Sequence, residues 1–377
     1  MNDFHQITVI GLGLMGGSMA MALKERIPCK VVGYDTHPET CRLARETALV
    51  DQVAENMAAA VAQADLVILA TPVGSYTTLF EAMAPVLKPG TMVTDLGSVK
   101  VPAMTAATEY LLPETVFVGG HPLAGSEKGG LPAATPTLFE NAYYFLTPDE
   151  KTPETAINRL KTLVSTLGAF PVTLEAGRHD EILANTSHLP HMMASLLAAI
   201  VGEKADESMT AFTGSGFRDT TRIAAGSPAL WEEIFHLNRR QLLVCLEDLE
   251  KKVQAVARAL KQEDRKWMQD FLEKGKVFRD QLPAAGKDYL PAWYELYVDI
   301  KDEPGALATI TGVLAKAGVN IREIEILHAR EGEKGAVRLA FLSAEAEQQA
   351  MKALSGEGCS FARSKGEKQD AHHQSSH

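Results

Sequence analysis

Residues 7–18 read ITVIGLGLMGGS, in which a short apolar run meets Gly11, Gly13 and Gly16 at GxGxxG spacing and passes into residues of helical type. A strand that runs straight into a glycine turn and out into a helix is the opening half of a βαβ unit. Gly11 permits the tight turn, Gly13 lets another group approach the backbone, and Gly16 lets the helix pack closely on the strand. The same alternation continues downstream. KVVGYD (30–35), ADLVILATP (64–72), TMVTDLG (91–97), TVFVGG (115–120), YYFLTP (143–148) and AFPVTL (169–174) read as buried strands between helical patterns. That rhythm predicts a Rossmann-type, doubly wound parallel sheet in an α/β domain over residues 1–175.

After Gly177 the strand signals stop, and segments rich in Leu, Ala, Met, Glu and Lys run with helical periodicity, giving an all-helical domain over 176–285. The stretch LPAAGKDYLP (282–291), with two prolines and a glycine, breaks the helix and reads as a linker. Beyond it, WYELYVDI, PGALATITGVLAKAG, VNIREIEILHA, AVRLAFLS and AEAEQQAMKALSG alternate strand, helix, strand, strand, helix, the pattern of a small βαββαβ (ferredoxin-like) domain over 293–365. Residues 366–377 carry no apolar periodicity and are expected to be a disordered tail.

The chain has 377 residues, room for two or three domains, and at 46 % apolar and 23 % charged residues it has the composition of a folded globular protein. Its formal charge of −11 argues against nucleic acid as a partner, because an acidic chain gains little from counterion release. An anionic substrate would need cations gathered in one pocket. Cys29, Cys41, Cys245 and Cys359 are scattered without a CxxC pair, so no zinc site and no disulfide framework is expected, and the thiols read as reduced in a cytoplasmic protein. His372, His373 and His377 in the tail do not amount to a metal site. No apolar run approaches the ~20 residues of a membrane span, and the N-terminus lacks a signal-peptide pattern.

The glycine turn places the backbone at Gly13, Leu14 and Met15 at a helix N-terminus, where a dinucleotide pyrophosphate would sit. Asp35, at the end of the second strand, is placed to accept from ribose hydroxyls and to repel a 2′-phosphate, which favours NAD over NADP. The alternative is that Asp35 only caps the helix beginning near His37 or Pro38. Thr71 and Pro72 close a later strand at the carboxyl edge where such sheets bind ligands, so their backbone is expected to lie beside the cofactor.

Two further strand ends carry polar groups, DLGSVK (95–100) and GGHPLAGSEKGG (119–130). His121 can take a proton near neutral pH, which an alcohol oxidation by hydride transfer requires. Read from the residues alone, His121 is equally a turn residue before proline, and Ser98 equally an N-cap.

Taken as a set, GLGLMGGS, DLGSVK, GGHPLAGSEKGG, His179-Asp180, SHLPH (187–191) and GSGFRDTTRIA (214–224) strongly resemble the prephenate dehydrogenase family of tyrosine biosynthesis, over about residues 5–290. The C-terminal unit, with DEPGAL (302–307) and GVNI (318–321), resembles an ACT regulatory domain. The resemblance implies NAD-dependent oxidative decarboxylation of prephenate to 4-hydroxyphenylpyruvate, with the amino counterpart arogenate as the alternative substrate. It implies that His121 accepts the proton of the 4-hydroxyl, that Ser98 orients His121 and that hydroxyl, and that Arg222 grips a substrate carboxylate through a fork of two hydrogen bonds. Arg218 is taken as structural. Ser126 and Glu127 are implied to line the substrate pocket, and Trp231 to stand near it. His188 and His191, three apart around Pro190, can both face the pocket, with one or the other on substrate. His179-Asp180 is expected to orient the helical domain against the sheet.

The apolar surface of LPHMMASLLAAIV and LLVCLEDL is more than a layer on one sheet would bury, and with the family likeness it predicts a homodimer. The ACT-like unit implies regulation, most simply by L-tyrosine bound near Gly305, Ala306, Leu307, Asn320 and Ile321. Two rival readings are a β-hydroxyacid dehydrogenase, whose chemistry relies on a lysine of the helical domain, and a non-catalytic NAD and amino-acid sensor. The first fits poorly with a candidate base at a strand end, the second with Ser98, His121 and Arg222 all present.

Overall fold

A computed structural model of the chain describes residues 4–125, 129–282, 294–300, 304–321, 323–327, 335–341, 343–356 and 360–363. Ser126, Glu127, nearly all of the expected linker and the expected tail lie outside the described residues. The chain divides into two compact units, residues 1–263 and 264–377.

The first unit is built on strands β1 (Gln6–Ile10), β2 (Lys30–Tyr34), β3 (Gln52–Val53), β4 (Leu66–Leu69), β5 (Met92–Asp95), β6 (Val116–Pro122), β7 (Tyr143–Thr147) and β8 (Phe170–Thr173), in the order β3-β2-β1-β4-β5-β6-β7-β8. The chain runs from β1 outward to β3 and then returns to place β4 on the other side of β1. That reversal opens a crevice at the carboxyl ends of β1 and β4, the usual ligand position in such sheets. Alternate residues feed opposite faces: Ile7, Val9, Leu66 and Ile68 pack under the helices Leu14–Arg26 and Glu154–Thr166, while Ile10, Val67, Leu69 and Val93 pack with Tyr76, Phe80 and Met83. Burial on both faces is why these strands read as continuous apolar runs.

The expected all-parallel sheet needs one correction, because β7 runs antiparallel to β6, pairing His121 with Phe145, before β8 resumes parallel pairing. Between β6 and β7 the only helical structure among the described residues is the short turn Leu131–Ala133. A parallel return needs a crossover, normally a full helix, and without one the strand comes back antiparallel.

Helices follow from Ala176. Ala176–Leu183 continues through a π turn, Ala184–His188, into Leu189–Gly202. Pro190 has no N–H to offer the carbonyl of Thr186, and the wider turn before it, closed by Leu189 N on Ala184 O, absorbs the mismatch. Ser215–Thr221, a 3-10 turn Arg222–Ala225, Pro228–Leu237 and the long Arg239–Lys261 complete the unit.

The second unit holds the helix Arg265–Gln281 and an antiparallel sheet of β9 (Tyr294–Ile300), β10 (Glu323–Leu327), β11 (Gly335–Phe341) and β12 (Phe361–Arg363) in the order β10-β11-β9-β12. Its helices Ala306–Lys316 and Ala344–Gly356 bury Ile310, Leu314 and Leu354 against Leu296, Val298, Val337 and Leu339. Arg338 points to the other face and is 3 % exposed, because Glu295, Glu323 and Glu325 each accept from its guanidinium at 2.7–3.0 Å. Among the described residues no helix is long and apolar enough to cross a membrane.

Candidate active site

At the end of β1 the chain turns through Gly11 at φ +88°, a backbone conformation that disfavours side chains. A Cβ on Gly16 would stand 1.8 Å from Gly11 O, so the turn and the following helix are in backbone contact. A Cβ on Gly13 would meet nothing within 4 Å. The backbone therefore presents an open surface at the N-terminus of the helix Leu14–Arg26, whose first turn holds no acidic residue and no side-chain cap. This cradle fits an anionic pyrophosphate, which the unpaired N–H groups and the helix dipole would attract. Asp35 lies just past β2. Its Oδ2 accepts from Leu12 N at 2.8 Å and its Oδ1 from His37 N at 2.8 Å, so the carboxylate props the glycine turn and braces the chain entering the next helix, which has no side-chain cap. Carboxylate lone pairs remain for a ribose hydroxyl.

Two adjoining cavities open along the crevice. One, of about 310 Å³, is walled by Leu14, Met15, Thr71, Pro72, Ser98 and His121. The other, of about 770 Å³, shares Leu14, Met15, Ser98 and His121 and adds His188, His191, Ile223 and Trp231. The structure thus brings the glycine turn, both polar strand ends and the SHLPH histidines to one place.

Beneath them lies a buried charge cluster. Asp95 accepts from Gly120 N at 2.8 Å, Tyr76 Oη at 2.8 Å and Gly97 N at 2.9 Å, and pairs with Lys100 Nζ, which also donates to Gly120 O at 2.6 Å. The carboxylate and the ammonium staple the end of β5 to the end of β6 and so fix the backbone carrying His121. Burial pushes the Lys100 amine down and Asp95 opposes it; burial and then Asp95 push the Tyr76 phenol well up.

His121 Nδ1 lies 2.8 Å from His179 Nε2, and His179 Nδ1 lies 2.8 Å from Asp180 Oδ1. Asp180 also accepts from Lys100 N at 2.7 Å and Val101 N at 2.8 Å, capping the helix Val101–Tyr110. A carboxylate has no proton to give, so His179 donates from Nδ1, accepts at Nε2, and leaves the proton of His121 on Nδ1. The nitrogen of His121 left to accept a proton is Nε2. Burial, then His179, Lys100 and His188, hold His121 well below the ordinary histidine range, so at neutral pH the ring is uncharged.

The HD dipeptide was expected to orient the helical segment on the sheet; the group it orients directly is His121. Ser98 lines both cavities but makes no hydrogen bond to His121 among the described residues, so the ring takes its orientation from His179 and not from Ser98. Ser98 is not the helix cap either, since Asp180 fills that role.

His188 and His191 both line the larger cavity. His188 Nδ1 meets Asn238 Nδ2 at 3.0 Å, and burial pushes the ring down to about 4. His191 stacks on Trp231 with ring centroids 3.6 Å apart and planes 15° from parallel, and burial lowers it too. Arg222 is exposed and opens the 3-10 turn whose Ile223 lines the cavity, while Arg218 lies exposed in the helix before it. In the small domain, Leu307 and Ile321 pack against its core, Gly305 adopts φ +94°, and Asn320 is exposed. Among the described residues no cluster of His, Cys, Asp or Glu has the makings of a metal site.

Lys100 and Asp95 were in view within DLGSVK but carried no separate signal, because their partnership exists only once β5 and β6 are adjacent. Asn238, which ties His188 to Asp180 O at 2.9 Å, sits in an unremarkable helical context.

Comparison with known proteins matches three family models: prephenate dehydrogenase, nucleotide-binding domain, over residues 19–172; prephenate dehydrogenase, dimerization domain, over 175–274; and ACT domain, over 294–357. Prephenate dehydrogenase of Bacillus subtilis (strain 168) is 36 % identical over 341 residues, covering 89 % of this chain and 92 % of that protein. Prephenate dehydrogenase of Lactococcus lactis subsp. cremoris (strain MG1363) is 33 % identical, covering 92 % and 96 %. The crystal structure of prephenate dehydrogenase from A. aeolicus in complex with hydroxyphenyl propionate and NAD+ is similar with a TM-score of 0.69 at 28 % identity, covering 74 % of this chain and 98 % of that one.

Proposed function

Because the chain belongs to the prephenate dehydrogenase family, we propose that it catalyses the NAD-dependent oxidative decarboxylation of prephenate to 4-hydroxyphenylpyruvate. The observation that carries this reading is the string Asp180–His179–His121, which leaves a neutral histidine with Nε2 free at the cavity shared with the glycine turn.

NAD supplies the hydride acceptor when bound. The open backbone at Gly13, Leu14 and Met15 holds its pyrophosphate, Asp35 its ribose, and the strand end at Thr71 and Pro72 lies beside it. His121 Nε2 takes the proton of the substrate 4-hydroxyl as the carbinol C–H bond breaks, and the ring carboxylate departs as carbon dioxide. The two electrons left by that C–C bond complete the aromatic ring, so aromatisation drives the reaction and the protein mainly orients and receives a proton. The positive charge that develops on His121 is shared toward His179 and stabilised by the Asp180 carboxylate. Ser98 donates to or accepts from the same hydroxyl. Arg222, beside Ile223 of the cavity wall, grips a substrate carboxylate, while His188, His191 and Trp231 form the wall against the pyruvyl side chain.

The working form is a homodimer. Helix Arg239–Lys261 leaves Leu243, Val244, Val253 and Leu260 exposed, and helix Arg265–Gln281 buries none of its residues while exposing Phe271, Leu272 and Phe278. Apolar faces of that extent call for a partner, and a second copy is the simplest one. The ACT domain binds L-tyrosine as effector near Gly305, Ala306 and Asn320, with Leu307 and Ile321 holding that site from the core.

The test is NADH formation on mixing the protein with NAD and prephenate, with arogenate in a parallel arm and His121→Asn as control. Turnover with prephenate that collapses in the variant is the expected result. Turnover with arogenate alone reassigns the substrate, and silence with both, despite NAD binding, removes the dehydrogenase reading.

A further inference from the structure

The smaller cavity between the glycine turn and His121 has, besides His121, one ionisable side chain in its wall among the described residues: Glu233, on the helix Pro228–Leu237. Its Oε1 accepts from Gly74 N at 2.5 Å, in the turn that follows β4. A Cβ on Gly74 would stand 2.7 Å from that oxygen, so glycine is what lets the carboxylate come so close to the backbone. Oε2 makes no hydrogen bond among the described residues. The remaining wall is apolar side chains, backbone and the hydroxyls of Thr71 and Ser98. Behind it, the charge of Lys100 is matched by Asp95, and His121 is neutral, so among the described residues Glu233 is the one charge of this wall without a counter-ion in it.

A carboxylate fixed beside a largely apolar cavity attracts a flat delocalised cation and gains nothing from a neutral ring of the same shape. The two redox states of a nicotinamide differ by that charge. We propose that Glu233 is a specificity-determining residue that makes this site bind the oxidised dinucleotide in preference to the reduced one. The inference rests on the dehydrogenase reading, which requires the nicotinamide to lie where His121 and Ser98 can reach the substrate. Transfer of the hydride cancels the charge that Glu233 holds, so the reduced cofactor is released while aromatisation keeps the reaction from reversing.

The experiment measures dissociation constants of the full-length protein for NAD+, by quenching of tryptophan fluorescence, and for NADH, by its own emission. Glu233→Gln keeps an oxygen for Gly74 N–H and nearly the same volume while removing the charge. The expected result is an NAD+ constant raised about tenfold, equivalent to about 1.4 kcal/mol, with the NADH constant changed less than twofold. Gly74→Ala, which keeps the charge but drives the carboxylate from its place, should shift the ratio in the same direction. Equal weakening of both cofactors would reduce Glu233 to a clasp on the backbone and overturn the proposal, as would an unchanged ratio. A wild-type protein that binds neither dinucleotide overturns the dehydrogenase reading itself, so the two failures are distinguishable.

Discussion

His179 Nε2 stands 2.8 Å from His121 Nδ1, which makes one buried histidine the sole hydrogen-bond partner of another's ring among the described residues. The tautomer of His121 is therefore decided by His179 and, through it, by Asp180. Replacing Asp180 with Asn lets the amide donate where the carboxylate accepted, and the proton order along the string is lost. Asp180→Asn should lower kcat by on the order of 10²-fold or more while leaving the dissociation constant for NAD within about threefold. Stopped-flow NADH formation with separately measured NAD binding checks it; an unchanged kcat would detach the pair from catalysis.

Acid should unfold this protein sooner than its carboxylates alone require. His121, His179, His188 and His191 all have folded values below the ordinary 6.5, with burial as the largest cause, and His188 is near 4. The unfolded chain binds protons at these sites from about pH 6.5 downward while the native state does not, so stability falls as pH falls through that window. The expected result is a Tm that declines steadily between pH 7 and 5. The same shift puts the acid limb of kcat/KM well below 6.5.

The glycines of the turn separate by what a methyl group would strike. Gly16→Ala collides with Gly11 O and should fail to fold stably, whereas Gly13→Ala points into open space and should leave Tm within about 2 °C. NAD binding should still weaken markedly in Gly13→Ala, because the methyl occupies the approach to the pyrophosphate. Thermal melts and titration of the two variants side by side decide the matter.

Lys100 is fully buried against Asp95. Lys100→Met leaves the carboxylate of Asp95 buried without its cation, and the loss should be about 3–5 kcal/mol of stability, read from urea unfolding. Asp95→Asn combined with Lys100→Met should recover part of that loss, since no uncompensated charge then remains.

Sedimentation should report a dimer for the wild-type chain. Leu243→Glu together with Val253→Glu, on the exposed face of helix Arg239–Lys261, should shift it to monomer.

Most of the sheet was legible because its signals are local: an apolar run of four to six residues, a glycine turn, a helix. The reversal of β7 was not, since YYFLTP is apolar in either direction and what decides its sense is the lack of a crossover helix before it. The cofactor turn was legible for the same local reason. The hydrogen bond from His121 to His179 was not, because 58 residues separate them and nothing in either context specifies the other. Asp35 reads in the sequence as ribose acceptor or as helix cap; the structure gives the following helix no side-chain cap and adds another role, support of the glycine turn through Leu12 N.

The π turn at Ala184–His188 amounts to one surplus residue lodged in a helix. Removing a single residue there would restore regular α-helical turns with the flanking segments facing about the same way, because the wider turn absorbs the surplus residue. His179 and Asp180 lie before the turn and hold His121, while His191 lies after it and lies flat on Trp231. The surplus residue thus acts as slack that seats Pro190 inside the helix, and a deletion that looks conservative in length would press the proline ring on the preceding turn and strain the segment that joins the proton acceptor's support to the opposite wall of the pocket.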